Sequence, residues 1–377
     1  MDRSTVDHRV YVHVGVPKSG TTFLQTSLLE NRQQLQEAGV LYPGGGERMF
    51  LAAVDVRGIH KPWGRKRSEA AGCWDDLCRQ ARKHEGVSVF GHELLAAARG
   101  REIVAAMSML KSLDVHVVVT ARDPVRQATA EWQEGIKHGR RLTFEEFRER
   151  VLDGGSETNY ARRYRAAQDL PTVLNRWGSS LPADHVHVVC CPPASAPREV
   201  LWERFAGAVG FDPRRFPAAG PESANPSLGI DEVDLLRRVN LALDKRIEQP
   251  DYGLIVKHIY AASLLRASTS ARAAVPANLF DDLQVVGERW VKEIDRAGYV
   301  IHGRLDDLVP VASAQPAPHP DAVDPRAQVR TAATTTAELL LEIQRGRHRI
   351  ARLEADAEAQ RLKRKHLKRK LRKAATN

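Results

Sequence analysis

At 377 residues and 41.9 kDa, the chain is long enough for two domains, or for one large α/β domain with additions. Its 42% hydrophobic and 28% charged residues exclude a fully disordered chain, and no run of about 18 apolar residues offers a transmembrane helix. The net charge of +10 is local: Gln344 to Asn377 holds thirteen Lys or Arg against three acids, so the rest is formally neutral, which argues against a uniformly basic nucleic-acid-binding domain.

The start, Met1-Asp2-Arg3-Ser4-Thr5, is polar and has no apolar stretch of the signal-peptide kind, so the cytoplasm is the expected compartment. Strand-like segments follow at Val10–Val14, Val40–Tyr42, Val87–Phe90, Val115–Ala121 and His185–Cys191. The nearly continuous apolar run at Val115–Ala121 suits an interior parallel strand. Helical patterns run from Thr21 to Ala38, from the Asp123-Pro124 start, from Pro197 to Val209, and then over Asp231–Ile247, Leu254–Arg266 and Phe280–Ala297. This alternation predicts an α/β fold of three layers, a central parallel sheet between helices, over residues 1–309, with 226–309 mostly helical. His13, His116, His185 and His187 lie in strand patterns and read as packed core histidines. Cys73, Cys78, Cys190 and Cys191 show no CxxC pair and no His at zinc-finger spacing; they read as reduced thiols, and no metal is expected.

Residues 310–336, with Pro310, Pro316, Pro318, Pro320 and Pro325 amid Ala, Ser and Thr, read as a linker. Residues 337–377 read as a basic helical or disordered tail. Ile343, Ile350, Leu353, Leu367 and Leu371 fit heptad positions for a coiled coil that Gly346, Gln360 and Arg364 interrupt. Arg361 to Lys373 has nine Lys or Arg and no acid. Such a helix is a solvated tail, or lies peripherally on the anionic inner face of a membrane at about 1 kcal/mol per nearby basic residue, or binds nucleic acid without sequence preference. No specific nucleic acid is expected, and the oligomeric state is not set by the sequence.

The most informative stretch is Val14-Gly15-Val16-Pro17-Lys18-Ser19-Gly20-Thr21-Thr22, between the first strand and the first helix. Gly15 and Gly20 have the spacing of a P-loop, whose backbone N–H groups wrap a phosphate at a helix N-terminus. The lysine, however, lies inside the loop, and Thr21 follows the second glycine. Here the chain resembles the sulfotransferase family, whose donor is 3′-phosphoadenosine 5′-phosphosulfate (PAPS). The resemblance implies that Lys18 contacts the transferring sulfuryl group and that Pro17, Ser19, Gly20, Thr21 and Thr22 form the 5′-phosphate loop. It also implies a 3′-phosphate site at Arg122, after the fourth strand, with a serine eight residues on. That serine is absent: the position holds Ala130, and Thr129, Arg126, Gln133 or Lys137 is expected to substitute. Weaker likeness extends over residues 10–309, including His185–Pro193, Leu201–Phe205 and Asn225–Gly229, where Asn225 and Ser227 are candidate cleft residues.

Transfer to a hydroxyl needs a base, and His92 and Glu93, just past a strand end, offer one: His92 as a neutral imidazole, Glu93 as the alternative or as its orienting partner. The segment Gly44–Asp75, with Trp63 and Trp74, is either a surface loop or a wall of the acceptor pocket. The resulting expectation is a PAPS-dependent sulfotransferase, without a metal, acting on a hydroxyl or amine of a carbohydrate, glycolipid or small metabolite. A P-loop kinase or NTPase, and a non-catalytic nucleotide-binding protein acting through its tail, are the alternatives.

Overall fold

The computed structural model describes residues 8–153, 155–220, 228–265, 270–312 and 318–374. Asn225 and Ser227 lie outside them. Six strands, β1 (Arg9–Gly15), β2 (Val40–Leu41), β3 (Val87–Gly91), β4 (Asp114–Ala121), β5 (Val186–Cys190) and β6 (Val300–His302), form one sheet in the order β2-β3-β1-β4-β5-β6. Every neighbouring pair is parallel. Among the described residues fourteen α-helices accompany it: α1 (Thr21–Glu30), α2 (Arg32–Glu37), α3 (Gly46–Arg57), α4 (Arg67–Ala70), α5 (Cys73–Lys83), α6 (Gly100–Ser108), α7 (Pro124–Lys137), α8 (Phe144–Phe147), α9 (Asn159–Gln168), α10 (Leu170–Gly178), α11 (Glu199–Val209), α12 (Ile230–Leu243), α13 (Ala277–Ala297) and α14 (Pro325–Ala374). The sheet flanked by helices is the α/β architecture expected.

The middle strands read as apolar runs because both faces are covered. Val12, Val14, Val117, Val118, Val119, Val188 and Val189 are all fully buried. A second apolar cluster is helical: Trp132 and Ile136 of α7 pack with Phe144, Phe147, Val233, Leu236, Val256 and Leu283. Helix α7, which begins just after β4, therefore packs into this second cluster. Asp123 caps it, accepting from Arg126 N at 2.9 Å, with Pro124 in its first turn.

Several boundaries differ from the sequence reading, each for a tertiary reason. The Thr21–Ala38 helix breaks at Asn31, whose side-chain amide donates to Ser27 O at 2.8 Å and to Pro217 O at 2.7 Å. Residues 253–264 form a π-helix rather than an α-helix. β6 was not anticipated; its three half-buried residues carry no alternation, and it exists by pairing with β5. His185 is half-exposed before β5 rather than in the core. Gly44–Asp75 is not a loop. It folds into α3, a short 3-10 turn, α4 and the start of α5, burying Met49, Ala52, Ala53 and Trp74.

The linker expectation also fails over its second half. Asp321 accepts from Phe144 N at 2.8 Å and Glu145 N at 3.0 Å, Ala274 N donates to Pro318 O at 3.0 Å, and Gln328 bonds Asp234. The proline at 325 starts α14 instead of interrupting it, as suits the first helical position. The helix then continues unbroken through Gly346 to Ala374. No helix among the described residues is long and apolar enough to cross a membrane.

One close approach is directly testable. Gly91 ends β3 with φ 147°, and a Cβ there would stand 2.1 Å from His13 O on β1. Gly91→Ala is expected to cost about 3 kcal/mol, measured as a lower urea midpoint at unchanged m.

Candidate anion-binding and catalytic site

After β3 the chain leaves one side of β1 and enters β4 on the other, so the carboxyl ends of β1, β3 and β4 frame a switch-point crevice. Three sequence segments end there: Gly15–Thr22 after β1, His92-Glu93 after β3 and Arg122 after β4.

Gly15 leaves β1 at φ 91°, and a Cβ on it would meet Glu93 Cα at 2.8 Å, so the loop passes directly against the β3 end. Lys18 (φ 68°) and Gly20 (φ 84°) are left-handed, the conformation that builds a concavity of backbone N–H groups. Helix α1 starts at Gly20 with no side-chain cap, so its N-terminus is open to an anion. The loop is braced from behind. Pro17 O accepts from the Gln127 and Gln168 side chains, and Cys191 Sγ lies 3.1 Å from Ser19 O.

Arg122 Nη1 donates to Lys18 O at 3.3 Å, which sets its guanidinium against the loop that carries Lys18. Burial, then the neighbouring Arg126, pulls the Arg122 guanidinium below its usual range. Lys18 Nζ pairs with Glu134 at 2.8 Å. Burial disfavours the Lys18 ammonium, but Glu134, Glu93 and Glu131 outweigh it and the net shift is upward.

Glu134 is the hub. Besides Lys18 it binds Lys257 Nζ at 2.7 Å and His138 Nε2 at 2.9 Å. Burial opposes its ionisation, yet these partners hold it well below the ordinary carboxylate value. Glu131, one turn earlier, differs: burial, strengthened by Glu134 and Glu93 against Lys18, pushes its carboxyl up to about 7. Lys137 is lowered by burial to about 8.

The remaining predicted residues sort clearly. Thr21 donates its hydroxyl to Glu93, and Thr22 is exposed at the helix start. Ser19 does not face the crevice. Its fully buried hydroxyl bonds Val16 O at 2.5 Å and Thr120 Oγ1 at 2.6 Å, so it fixes the loop shape. Thr129 spends its hydroxyl on Val125 O at 3.4 Å and Arg126 O at 3.2 Å, and Ala130 offers only a methyl. Gln133 is turned to Leu228 O at 3.2 Å. Of the expected substitutes for the missing serine, Arg126 is the one beside Arg122; it pairs with Asp123 and reaches Pro192 O at 3.1 Å. The face of α7 aimed at the loop is therefore Gln127, Glu131, Glu134 and His138, not the Ala130 face. Glu131, Glu134, Lys257 and Gln168 were missed by sequence reasoning. Only the first two carried a signal, their i, i+3 spacing with His138 a turn further on.

His92 accepts the Leu94 N–H at 3.1 Å through Nδ1. Burial lowers its pKa against the effect of Glu93, so the ring is neutral and carries its proton on Nε2. Its only basic nitrogen is thus occupied. Glu93 places its carboxyl group beside Lys18 and Thr21. Beyond them the inserted helices add rings: Phe50 lies 5.8 Å from His92 and 5.2 Å from Trp63, and Trp63 lies 5.5 Å from His138.

No protein-family model matches the chain. No curated protein matches it either. Among solved structures it is similar to a sulfotransferase from Alicyclobacillus acidocaldarius, at 15% identity and a TM-score of 0.36, over 65% of this chain and 98% of that one.

Proposed function

We propose that this crevice binds PAPS and moves its sulfuryl group to a hydroxyl or amine of an acceptor: a carbohydrate, glycolipid or small metabolite. The observation that supports the reading is that Arg122, at the β4 end, donates to the backbone carbonyl of Lys18 in the loop that leads into the uncapped N-terminus of α1 at the switch point. The loop N–H groups and Thr22 hold the 5′-phosphate; Arg122 with Arg126 holds the 3′-phosphate. Lys18 stabilises charge on the bridging oxygen, Glu93 takes the acceptor proton, and Phe50 and Trp63 line the acceptor side. The kinase or NTPase reading lacks a Mg-binding carboxylate at the β4 tip, because Asp123 is committed to capping α7 and to Arg126.

The test is calorimetric binding of adenosine 3′,5′-bisphosphate and of 5′-AMP. Arg122→Ala should weaken the bisphosphate about 10- to 100-fold, as expected for loss of a charged hydrogen bond, and 5′-AMP much less. Equal bisphosphate affinity in wild type and variant, or Mg-dependent ATP turnover, would overturn the assignment.

Binding should also depend on pH in a set direction. Glu131 is neutral below about 7 and negative above it. Raising the pH through 7 adds negative charge beside an anion site, so bisphosphate affinity should fall, and Glu131→Gln should flatten that part of the profile.

A further inference from the structure

We propose that helix α14 is a self-association surface: two copies of the chain pair through it, antiparallel, over residues 338–365, centred between Ala351 and Arg352. The helix is 50 residues long. Near its start Gln328 bonds Asp234 of α12 and Thr335 is buried, which ties it to the body. From 347 to 366, however, every residue is exposed. That stretch gains nothing from packing within its own chain, on which most helices in proteins depend.

Two features of this stretch identify its occupant as a second copy. Ile343, Ile350 and Ala357 recur at heptad a, with Gly346, Leu353 and Gln360 at d, and Ile343, Ile350 and Leu353 stand open to solvent. Along the same helix, like charges stand four residues apart, where they repel: Glu338 and Glu342, Arg345 and Arg349, Glu354 and Glu358, Arg361 and Lys365. A lone solvated helix is steadied by the opposite pattern, an acid four residues before a base. Arg345 pairs with Glu342 at 2.8 Å, but among the described residues Arg347, Arg349, Glu354 and Asp356 have no ion-pair partner in their own chain.

Antiparallel pairing answers both features. In it, a positions face d positions, e flanks e and g flanks g. Ile350 then meets the partner's Leu353 at the centre, and Gly346 meets the partner's Ala357 to either side, a small layer that lets the backbones close. Ile343 packs on the partner's Gln360. Arg347 flanks the partner's Glu354, Arg349 the partner's Asp356, and Glu342 the partner's Lys363, each contact made twice by the two-fold symmetry. The acidic Glu338–Glu342 turn lies level with the basic Arg361–Lys365 turn of the other copy. Parallel pairing also sets opposite charges at e and g. It lays the nine basic residues of Arg361–Lys373 side by side, however, brings Arg364 against its own copy and leaves a gap where Gly346 meets Gly346.

Sedimentation velocity of the full chain over a concentration series reads the association. A dimer of twice 41.9 kDa is expected, weakening as salt rises. Arg347→Glu with Arg349→Glu, or Glu354→Arg with Asp356→Arg, should each weaken self-association at least about 10-fold, because every changed contact becomes a repulsion. The two variants mixed should pair as tightly as wild type. All four positions are exposed, so the body should melt unchanged. Orientation is read by oxidising Gly346→Cys and Ala357→Cys, each made with Cys73→Ser: the mixture should cross-link and neither variant alone should. A monomer throughout the series, a dimer that both charge reversals leave intact, a mixture no tighter than its components, or cross-linking of either cysteine variant by itself would overturn the proposal.

Discussion

Replacing Lys18 by methionine is expected to lower sulfuryl transfer about 10³-fold while leaving the fold intact. Methionine keeps the length of the side chain and removes only the charge. Lys18 sits at a left-handed φ of 68°, which wild type already tolerates, so no backbone strain is added. Its partner is not abandoned either: Glu134 keeps Lys257 and His138 at hydrogen-bond distance. Once drawn onto the bound donor, an ammonium beside the oxygen on which charge develops is an electrostatic donor, and loss of one such group costs about 10²–10³ in turnover. The upper end applies because Lys18 is enclosed and the low-dielectric surroundings strengthen its field. Single-turnover transfer from labelled donor, with a melting curve as control, measures this. A variant that melts like wild type and still turns over within tenfold of it would remove Lys18 from the chemistry.

The Lys18–Glu134 pair gives the same experiment a second readout. As the side chain now lies, its charge is neutralised by a carboxylate, and a donor anion must draw it away. Glu134→Gln releases Lys18 but leaves Lys257 and His138 without their counter-charge, so it should strengthen bisphosphate binding and blur the pH profile. It separates the role of Lys18 in binding from its role in transfer.

How far the sequence carried this reading depends on how local each determinant is. The Gly15–Thr22 string, the β1 and β4 runs and the Asp123-Pro124 start are set by neighbours along the chain, and each stands where the residues place it. The rotation of α7 is not set by counting forward from Arg122 to Ala130. The apolar residues Ala128, Trp132 and Ile136 actually fix the rotation, since they belong to the helical core. With that stripe buried, Gln127, Glu131, Glu134 and His138 turn to the loop. The burial that pushes Glu131 up to about 7 comes from the packing around it and is written in no short motif. The same holds for Asp321 and Gln328, whose partners lie far away in sequence and turn part of an apparent linker into folded structure. By contrast, Met49, Ala52 and Ala53, and Trp74, Leu77, Cys78 and Ala81, have helical spacing. The segment for which a surface loop and a pocket wall were the two readings thus carries a helical signal of its own.

The choice of base should divide two adjacent residues sharply. Glu93→Gln is expected to reduce transfer by about 10²–10⁴, the range for loss of a general base, and His92→Ala by less than about tenfold. The His92 ring gives its Nδ1 lone pair to the Leu94 N–H, and burial keeps it neutral, so what faces outward is an N–H that cannot accept a proton. Freeing Nδ1 would uncap the turn that begins at Glu93, so the base role and the structural role compete for one nitrogen. Glu93 has no such conflict. Its backbone is pinned against Gly15, where even a methyl group would not fit, and its carboxylate accepts the Thr21 hydroxyl within the field of Lys18. Glutamine preserves that size and hydrogen bond and removes only the proton-accepting charge. Loss in Glu93→Gln at unchanged bisphosphate affinity assigns the base. Loss in His92→Ala with full activity in Glu93→Gln would require His92 to leave its cap during turnover, and would show as an acid limb near the pKa of a released imidazole, about 6.5, in the rate profile of Glu93→Gln.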